Sequence, residues 1–194
     1  LDRIVSASDY ENFTAAFAGV GKAQATTLWA RQRQLVQLTV AGIAGAPFEG
    51  EALLTTAIQG AQDPGQLFAI DPFRQVLFTV SGDVLIDPSY SPAEASDALA
   101  AVQAAIAAAF SFEQRAFAQP VTANDVVQVV IGVAGAIDTH VTGLQRVDDT
   151  EPSLSLTASP ATWNVPGDPS SGTVGAELLV LQTGGAQIVQ RTNG

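Results

Sequence analysis

One short pattern occurs twice in the sequence, and this repeat constrains the fold more than any other feature. Val5–Asp9 (VSASD) returns as Val121–Asp125 (VTAND), and a glycine follows ten residues after each aspartate, at Gly19 and Gly135. A hydroxyl residue followed three positions later by a carboxylate is typical of a capped helix start, and glycine readily takes the positive φ that ends a helix. Each copy therefore predicts a helix, a glycine stop and a strand. The alternative is a chance likeness between two capped helices.

Hydrophobic periodicity between the two copies predicts further strands and helices. Apolar residues at every second position from Val36 to Val40 alternate with polar ones, which is typical of a half-buried strand. This strand and the one before it predict a hairpin that turns near residues 31–33. A longer alternating strand covers Val76–Asp87, and Ser91-Pro92-Ala93-Glu94 is a strong helix start. The predicted fold class is therefore α+β.

Two changes along the chain predict its domain organisation. Asp71-Pro72 breaks the pattern, so we expect a first α+β unit over residues 1–72 and a second over 73–147. From Asp148 the chain becomes acidic and then rich in proline and glycine. Residues 148–194 have too few apolar side chains for a core of their own, which predicts an extended C-terminal arm that could end in a hairpin. The start at Leu1, without an initiator methionine, leads us to expect a fragment of a longer polypeptide.

Charge and composition exclude several classes of protein. The 194 residues include 8 Lys and Arg against 19 Asp and Glu, a formal net charge of −11. Nucleic acid is an unfavourable partner for this charge, because phosphate binding needs clustered cations. The longest apolar run, residues 98–110, is too short to cross a bilayer, so we expect no membrane insertion. The absence of cysteine excludes a disulfide framework and a thiolate metal site.

The residues that could carry chemistry lack partners at suitable spacing. His140 is the only histidine, and we interpret it as a surface residue of a strand. Asp83 and Asp87 share one face of the long strand, where exposed positions explain them better than acid–base chemistry does. The Gly19–Lys22 segment departs from the phosphate-loop pattern on both sides. The sequence therefore predicts no catalytic residue, no cofactor and no metal site.

Four stretches of the chain resemble a known family. They are the capped helix and strand over Val5–Ala25, the segment VLIDPSY over Val84–Tyr90, the segment FSFEQRAFAQPV over Phe110–Val121, and the weaker ELLVL over Glu177–Leu181. In this order they resemble the baseplate J-like family, the baseplate assembly proteins of contractile phage tails and phage-tail-like injection systems. Ala118 stands where the family usually has glycine. If that glycine serves a turn with positive φ, we expect the loop to differ here.

The resemblance implies a structural role without catalysis. Such a protein is a baseplate wedge component that acts by protein–protein assembly with other baseplate and tail proteins, including copies or paralogues of itself. It implies assembly in the bacterial cytoplasm and a place in a phage tail or tail-like particle.

Partner binding in the predicted arm is our hypothesis for Leu178, Leu179 and Leu181, because an extended segment can add to a partner's sheet or fill a groove. The alternative function is a generic binding or adhesion module, such as one for carbohydrate, which exposed aromatic side chains in a groove would favour. A hydrolase would require Asp83, Asp87 and His140 to converge in one pocket.

Overall fold

A computed structural model describes residues 3–30, 33–166 and 168–191 of the chain. The helices are α1 (Ala7–Ala15), α2 (Glu51–Ala61), α3 (Pro92–Ala109) and α4 (Ala123–Ile131), with a 3₁₀ turn at Ile43–Gly45. The strands are β1 (Val20–Ala30), β2 (Arg33–Gly42), β3 (Leu67–Pro72), β4 (Arg74–Ile86), β5 (Val121–Thr122), β6 (Ala136–Arg146), β7 (Ser155–Leu156), β8 (Thr162–Val165), β9 (Asp168–Val174) and β10 (Glu177–Gln190). The strands form several small sheets and are combined with helices, which confirms the α+β prediction.

The chain divides into two compact units. Unit 1 comprises Leu1–Arg74 and Ser159–Glu177, and unit 2 comprises Gln75–Ala158 and Leu178–Gly194. The structure differs here from the predicted arm over residues 148–194, because that segment is divided between the two units. The strands of this segment belong to sheets within the units, so their backbone groups form hydrogen bonds inside the chain. In an extended arm the same groups would have to bond to water or to another protein.

Unit 1 is built on a three-stranded sheet with the order β1-β2-β3. Strand β1 is antiparallel to β2, as the predicted hairpin requires, and the turn residues 31 and 32 lie outside the described residues. Strand β3 returns parallel to β2 after helix α2. Helices α1 and α2 contribute side chains to a core on one sheet face, whose buried members are Ile4, Tyr10, Val36, Leu38, Val40, Leu54 and Ile58.

The opposite face of β2 is polar and yet buried, which corrects the expectation of a half-buried strand. Gln37 and Thr39 are both 0% exposed. The Thr39 hydroxyl donates to Gln37 Oε1 at 3.1 Å, and the Gln37 amide donates to Asp71 Oδ2 at 3.1 Å. Thr173 donates to the same carboxylate at 2.5 Å, and the backbone N–H of Ala176 donates to Thr39 Oγ1 at 3.0 Å. Residues 159–177 thus supply hydrogen-bond partners to this polar face. The alternating pattern of the sequence alone predicts that the face is exposed to solvent.

Unit 2 is built on a second sheet with the order β10-β4-β6 and on helices α3 and α4. Strand β4 buries every second side chain from Phe78 to Ile86, as predicted for the long strand. Strand β6 pairs with it antiparallel, and a bulge lies near Gly82. The buried core contains Phe78, Val80, Val84, Ile86, Val102, Ile106, Phe110, Val126, Val130, Leu144, Leu179 and Ile188, with smaller side chains around them. Within the described residues, no helix is long and apolar enough to cross a membrane.

The two copies of the repeat form the same supersecondary structure, one in each unit. Helix α1, Gly19 and strand β1 recur as helix α4, Gly135 and strand β6, and every boundary in the second copy lies 116 residues after the first. Both helices begin with a complete capping box, Ser6 with Asp9 and Thr122 with Asp125. Both glycines have positive φ, +88° and +87°. The repeat and both caps are confirmed, but the helices end at Ala15 and Ile131, four residues before the glycines, which lie in the turns that lead into the strands.

The repeat also exposes one mismatch in the core of unit 1. Thr14 in α1 is fully buried, and no described residue forms a hydrogen bond with its Oγ1. The equivalent residue of α4, 116 positions later, is the buried Val130.

Replacing Thr14 with valine keeps the shape of the side chain and removes a buried hydroxyl that has no hydrogen-bond partner among the described residues. We expect Thr14→Val to raise the free energy of unfolding by about 1 kcal/mol, measured by urea denaturation. Val130→Thr, the reverse change in the second copy, should lower it by about 1–2 kcal/mol; a destabilised Thr14→Val variant would contradict this reading.

The polar face of β2 gives a second prediction. Thr39→Val removes the acceptor of the buried Ala176 N–H and the donor to Gln37, so we expect the free energy of unfolding to fall by about 1–3 kcal/mol. Thr56→Val on the exposed side of α2 is the matched control and should change it by less than about 0.5 kcal/mol. Equal effects of the two substitutions would show that the buried network contributes no stability.

Candidate interaction site

The leucines predicted to bind a partner lie on β10, and the structure buries two of them within this chain. Leu178 and Leu179 are both 0% exposed. Leu179 belongs to the core of unit 2, and the half-buried Leu181 packs against that core. The Leu181 N–H donates to the carbonyl of Phe110 at 3.0 Å. The partner-binding hypothesis for this segment is therefore corrected: the apolar run is continuous because β10 is an integral strand of the sheet.

Asp83 and His140 lie close together on the sheet of unit 2, in a cluster with Arg191 and Asp138. His140 Nδ1 lies 3.7 Å from Asp83 Oδ2 on the neighbouring strand. Arg191, directly after β10, places Nε 2.7 Å from Asp83 Oδ1 and Nη2 2.8 Å from Asp138 Oδ2. The hydrogen bond from Arg191 lowers the pKa of the Asp138 carboxyl below its ordinary value. The cluster connects β4, β6 and the residue that follows β10, so the charged side chains help to hold this sheet together.

Asp87 does not join this cluster. Its carboxylate accepts from the N–H and the hydroxyl of Ser89 at 2.8 and 2.7 Å, which lowers its pKa and fixes the turn after β4. An open cleft of about 440 Å³ is lined by Asp87, Tyr90 and Arg191 among others, but not by Asp83 or His140. The structure therefore does not bring Asp83, Asp87 and His140 together in one pocket, as a hydrolase would require. Within the described ranges, no three His, Asp or Glu side chains are grouped to hold a metal ion.

The glycines that resemble a phosphate loop have a packing role. A Cβ on Gly21 would lie 2.4 Å from the carbonyl oxygen of Gly42, so only glycine allows these backbones to approach. Gly135 has the same kind of role in unit 2, because a Cβ there would lie 2.5 Å from the Tyr90 ring. The segment VLIDPSY therefore ends in a tyrosine that packs on the glycine of the second repeat.

The segment FSFEQRAFAQPV forms a loop held by a buried arginine. Arg115 is 5% exposed, and its Nη2 donates to the carbonyl oxygens of Gln119 at 3.0 Å and Pro120 at 2.6 Å. Its guanidinium also lies over the Phe110 ring, 5.5 Å from the centroid. Burial lowers the pKa of this arginine, and the neighbouring Asp125 opposes the shift. Ala118 has φ +57°, so this loop has a positive φ at a residue that is not glycine.

The outer edge of β1 is the candidate interaction site that sequence reasoning missed. Strand β1 borders the sheet, and its alternate residues direct their backbone groups away from β2. Ala25 is one of them, because its N–H donates to Glu11 Oε2 at 2.9 Å; Trp29 is another, because its carbonyl accepts from Trp163 Nε1 at 3.3 Å. Thr27 lies between them, and in the described part of the chain nothing bonds to its outward N–H and C=O. The sequence gives one indication of this open edge: the predicted strand contains no charged residue between positions 22 and 31.

Comparisons with known proteins identify relatives of the fold. Residues 2–71 match the family model described as Baseplate J-like central domain. Among solved structures, a chain of the anti-feeding prophage (AFP) baseplate, determined by cryo-EM with 6-fold symmetrisation, is similar with a TM-score of 0.61 and 8% sequence identity. The likeness covers 93% of this chain and 38% of that chain, so this chain spans well under half of its structural relative. No curated protein sequence matches the chain.

The positive φ of Ala118 generates a prediction for the loop around Arg115. The left-handed region costs an L-residue about 1–2 kcal/mol, while glycine adds entropy to the unfolded chain, so Ala118→Gly should raise the free energy of unfolding by about 0.5–1 kcal/mol. Ala104→Gly on the exposed side of α3 is the matched control and should lower it by about 1 kcal/mol. If both glycines destabilise the protein to the same extent, Ala118 is not strained. Urea denaturation of the three proteins decides the question.

Proposed function

We propose that this chain belongs to the baseplate J-like family and is a structural baseplate component of a contractile phage tail or phage-tail-like injection particle. Its place there is that of a wedge component, and it acts by protein–protein assembly. The observation that carries the proposal is the family match over residues 2–71, which comprise α1, β1, β2, α2 and most of β3. The likeness in fold to a chain of a prophage baseplate extends over both units and supports the same assignment.

The uses of the charged side chains support a role without catalysis. Arg115 holds carbonyl groups of its own loop, and Arg191 binds Asp83 and Asp138 across the sheet. Arg74 pairs with the buried Glu177 at 3.4 Å within unit 1. Side chains that form hydrogen bonds and ion pairs inside each unit stabilise a shape, and a stable shape is what an assembly component needs.

The partners in this proposal are other baseplate and tail proteins, including copies or paralogues of this chain, and assembly takes place in the bacterial cytoplasm. The net charge of −11 favours partner surfaces that carry positive charge, and it disfavours nucleic acid. The alternative of a carbohydrate-binding or adhesion module gains no support from the family match or from the structural likeness.

Particles purified from the producing bacterium test the proposal. An antibody raised against this chain should label one end of the tail, at the baseplate, in negative-stain electron micrographs. Deletion of the gene should abolish complete tails, and expression of the native protein from a plasmid should restore them. Label along the sheath, or normal tails in the deletion strain, would overturn the proposed function.

A further inference from the structure

We propose that the outer edge of β1 pairs with the same edge of a second copy of this chain, as two antiparallel strands centred on Thr27. The pair joins two three-stranded sheets into one sheet of six strands, with the order β3-β2-β1-β1-β2-β3. The inference rests on the proposed function, in which copies of the chain associate, and it names the surface that they use. Three observations carry it: the arrangement of engaged and free backbone groups on β1, the exposed Trp29, and the absence of charge along the strand.

Two of the backbone groups at this edge are engaged, and four are free. Alternate residues of β1 direct both their N–H and their C=O outward. The Ala25 N–H is engaged, because it donates to Glu11 Oε2 at 2.9 Å. The Trp29 carbonyl is engaged as well, because it accepts from Trp163 Nε1 at 3.3 Å. The Ala25 carbonyl, both groups of Thr27 and the Trp29 N–H have no partner among the residues that the structure describes.

This arrangement makes the edge complementary to itself. Two β1 edges centred on Thr27 exchange two hydrogen bonds between the Thr27 residues, and two more between Ala25 of each copy and Trp29 of the other, six in all. The free Ala25 carbonyl then meets the free Trp29 N–H, and the engaged Ala25 N–H meets the engaged Trp29 carbonyl. Any other centre from Ala23 to Trp29 sets an engaged group opposite a free one. Self-complementarity is what a two-fold symmetric interface requires, and it favours a second copy over an unrelated strand.

The two engaged groups differ in what pairing asks of them. A carbonyl oxygen has two lone pairs, so the Trp29 carbonyl can accept from Ala25 of the second copy and keep its bond with Trp163. The Ala25 N–H has a single proton, so Glu11 must release it to the carbonyl of the second copy, and the carboxylate then bonds to water. Glu11 therefore competes with pairing and sets how readily the two edges associate.

The side chains of Trp29 and Ala25 fit one another across the pair. Residues directly opposite each other in an antiparallel pair carry their side chains on the same face of the sheet. Trp29 is 67% exposed in the single copy, and pairing sets it opposite the small Ala25 of the other. The ring is covered twice, once in each copy. Aromatic side chains are enriched in protein interfaces for the apolar area that they bury.

The centre of β1 carries nothing that prevents pairing with a copy. Native proteins usually guard an edge strand with charged residues, proline or a bulge, because unpaired backbone groups recruit other strands. From Ala23 to Ala30 the sequence contains no charged residue and no proline, and the bulge lies at the start of the strand, between Val20 and Lys22. Two copies of this span therefore meet without like charges opposite one another. The net charge of −11 repels copies at long range, and physiological salt screens most of this repulsion.

Self-association of the full chain tests the edge directly. The probe is the ¹⁵N-labelled native chain, followed by NMR and analytical ultracentrifugation from about 10 µM to about 1 mM. We expect a monomer–dimer equilibrium with a Kd below about 1 mM, in which the amide signals of Thr27 and Trp29 shift and exchange hydrogen more slowly as the dimer forms. Thr27→Pro removes the central N–H and should weaken association at least about tenfold. Thr27→Val keeps both backbone groups and should associate within about twofold of the native chain.

Disulfide formation tests the register, because the native chain contains no cysteine. Centring on Thr27 sets Thr26 of one copy opposite Leu28 of the other, in a pair whose Cα atoms lie about 4.5 Å apart, which a disulfide can span. A mixture of Thr26→Cys and Leu28→Cys chains in glutathione buffer should form the mixed disulfide in at least about fivefold excess over either symmetric one, measured by mass spectrometry. Leu28→Cys mixed with Thr56→Cys, on the exposed side of α2, is the matched control and should stay reduced. Because Thr27 is native here, the test stays decisive if Thr27→Pro unfolds β1.

Glu11 gives a test that a merely structural role would not pass. Glu11→Ala frees the Ala25 N–H in both copies, so dimer formation no longer breaks two side-chain hydrogen bonds. We expect the Kd to fall at least about fivefold. Glu51→Ala removes the same charge from the exposed first turn of α2 and should leave the Kd within about twofold of the native value.

Specific results would overturn the proposal. A chain that stays monomeric at about 1 mM would do so, and so would a Kd that Glu11→Ala leaves unchanged or raises. Mixed and symmetric disulfides in equal amounts would exclude pairing centred on Thr27. If the chain stays monomeric while another protein of the same particle slows exchange of the Thr27 and Trp29 amides, the edge binds that protein instead. None of these results concerns antibody labelling of the tail end, so a failure here is distinguishable from a failure of the proposed function.

Discussion

Unit 1 depends on hydrogen bonds between one polar sheet face and a segment more than a hundred residues away in sequence. Gln37 and Thr39 need partners because they are closed off from water; the half-buried Asp71 and Thr173 and the buried Ala176 complete their hydrogen-bond network. The same segment ends at Glu177, whose carboxylate accepts from the N–H of Ser159 at 2.8 Å. Buried polar groups are costly when unpaired, so the family-matched region of residues 2–71 and residues 159–177 stabilise one another.

Local features were predictable because local chemistry determines them. A capping box needs only residues three positions apart, and the three boxes at Ser6, Ser91 and Thr122 form as predicted. Gly19 and Gly135 form the turns between helix and strand because positive φ is inexpensive for glycine. The alternation of β4 and the hairpin of β1 with β2 follow from a period of two. The repeat was visible for the same reason, since its caps and glycine stops are short signals in sequence.

Features that depend on distant segments were not predictable from the residues alone. Gln37 and Thr39 look like solvent-facing residues until residues 159–177 are placed over them. The sequence around the leucines of β10 favours a partner-binding arm, because it does not say which sheet the strand joins. The open edge of β1 was not predictable, because an edge strand can be identified only when the strand order of the sheet is known. Ala118 shows the converse case: Arg115 and its carbonyl partners hold a positive φ that residue type alone argues against.

Hydrogen exchange of the native chain, followed residue by residue by NMR, tests the central claim most directly. If residues 159–177 are part of unit 1, the amide of Ala176 should exchange with the same opening free energy as the amides of β2, and added urea should lower both in parallel. If Ala176 exchanges at the rate of an unstructured peptide while β2 stays protected, the segment is an arm and the polar face is closed by something else.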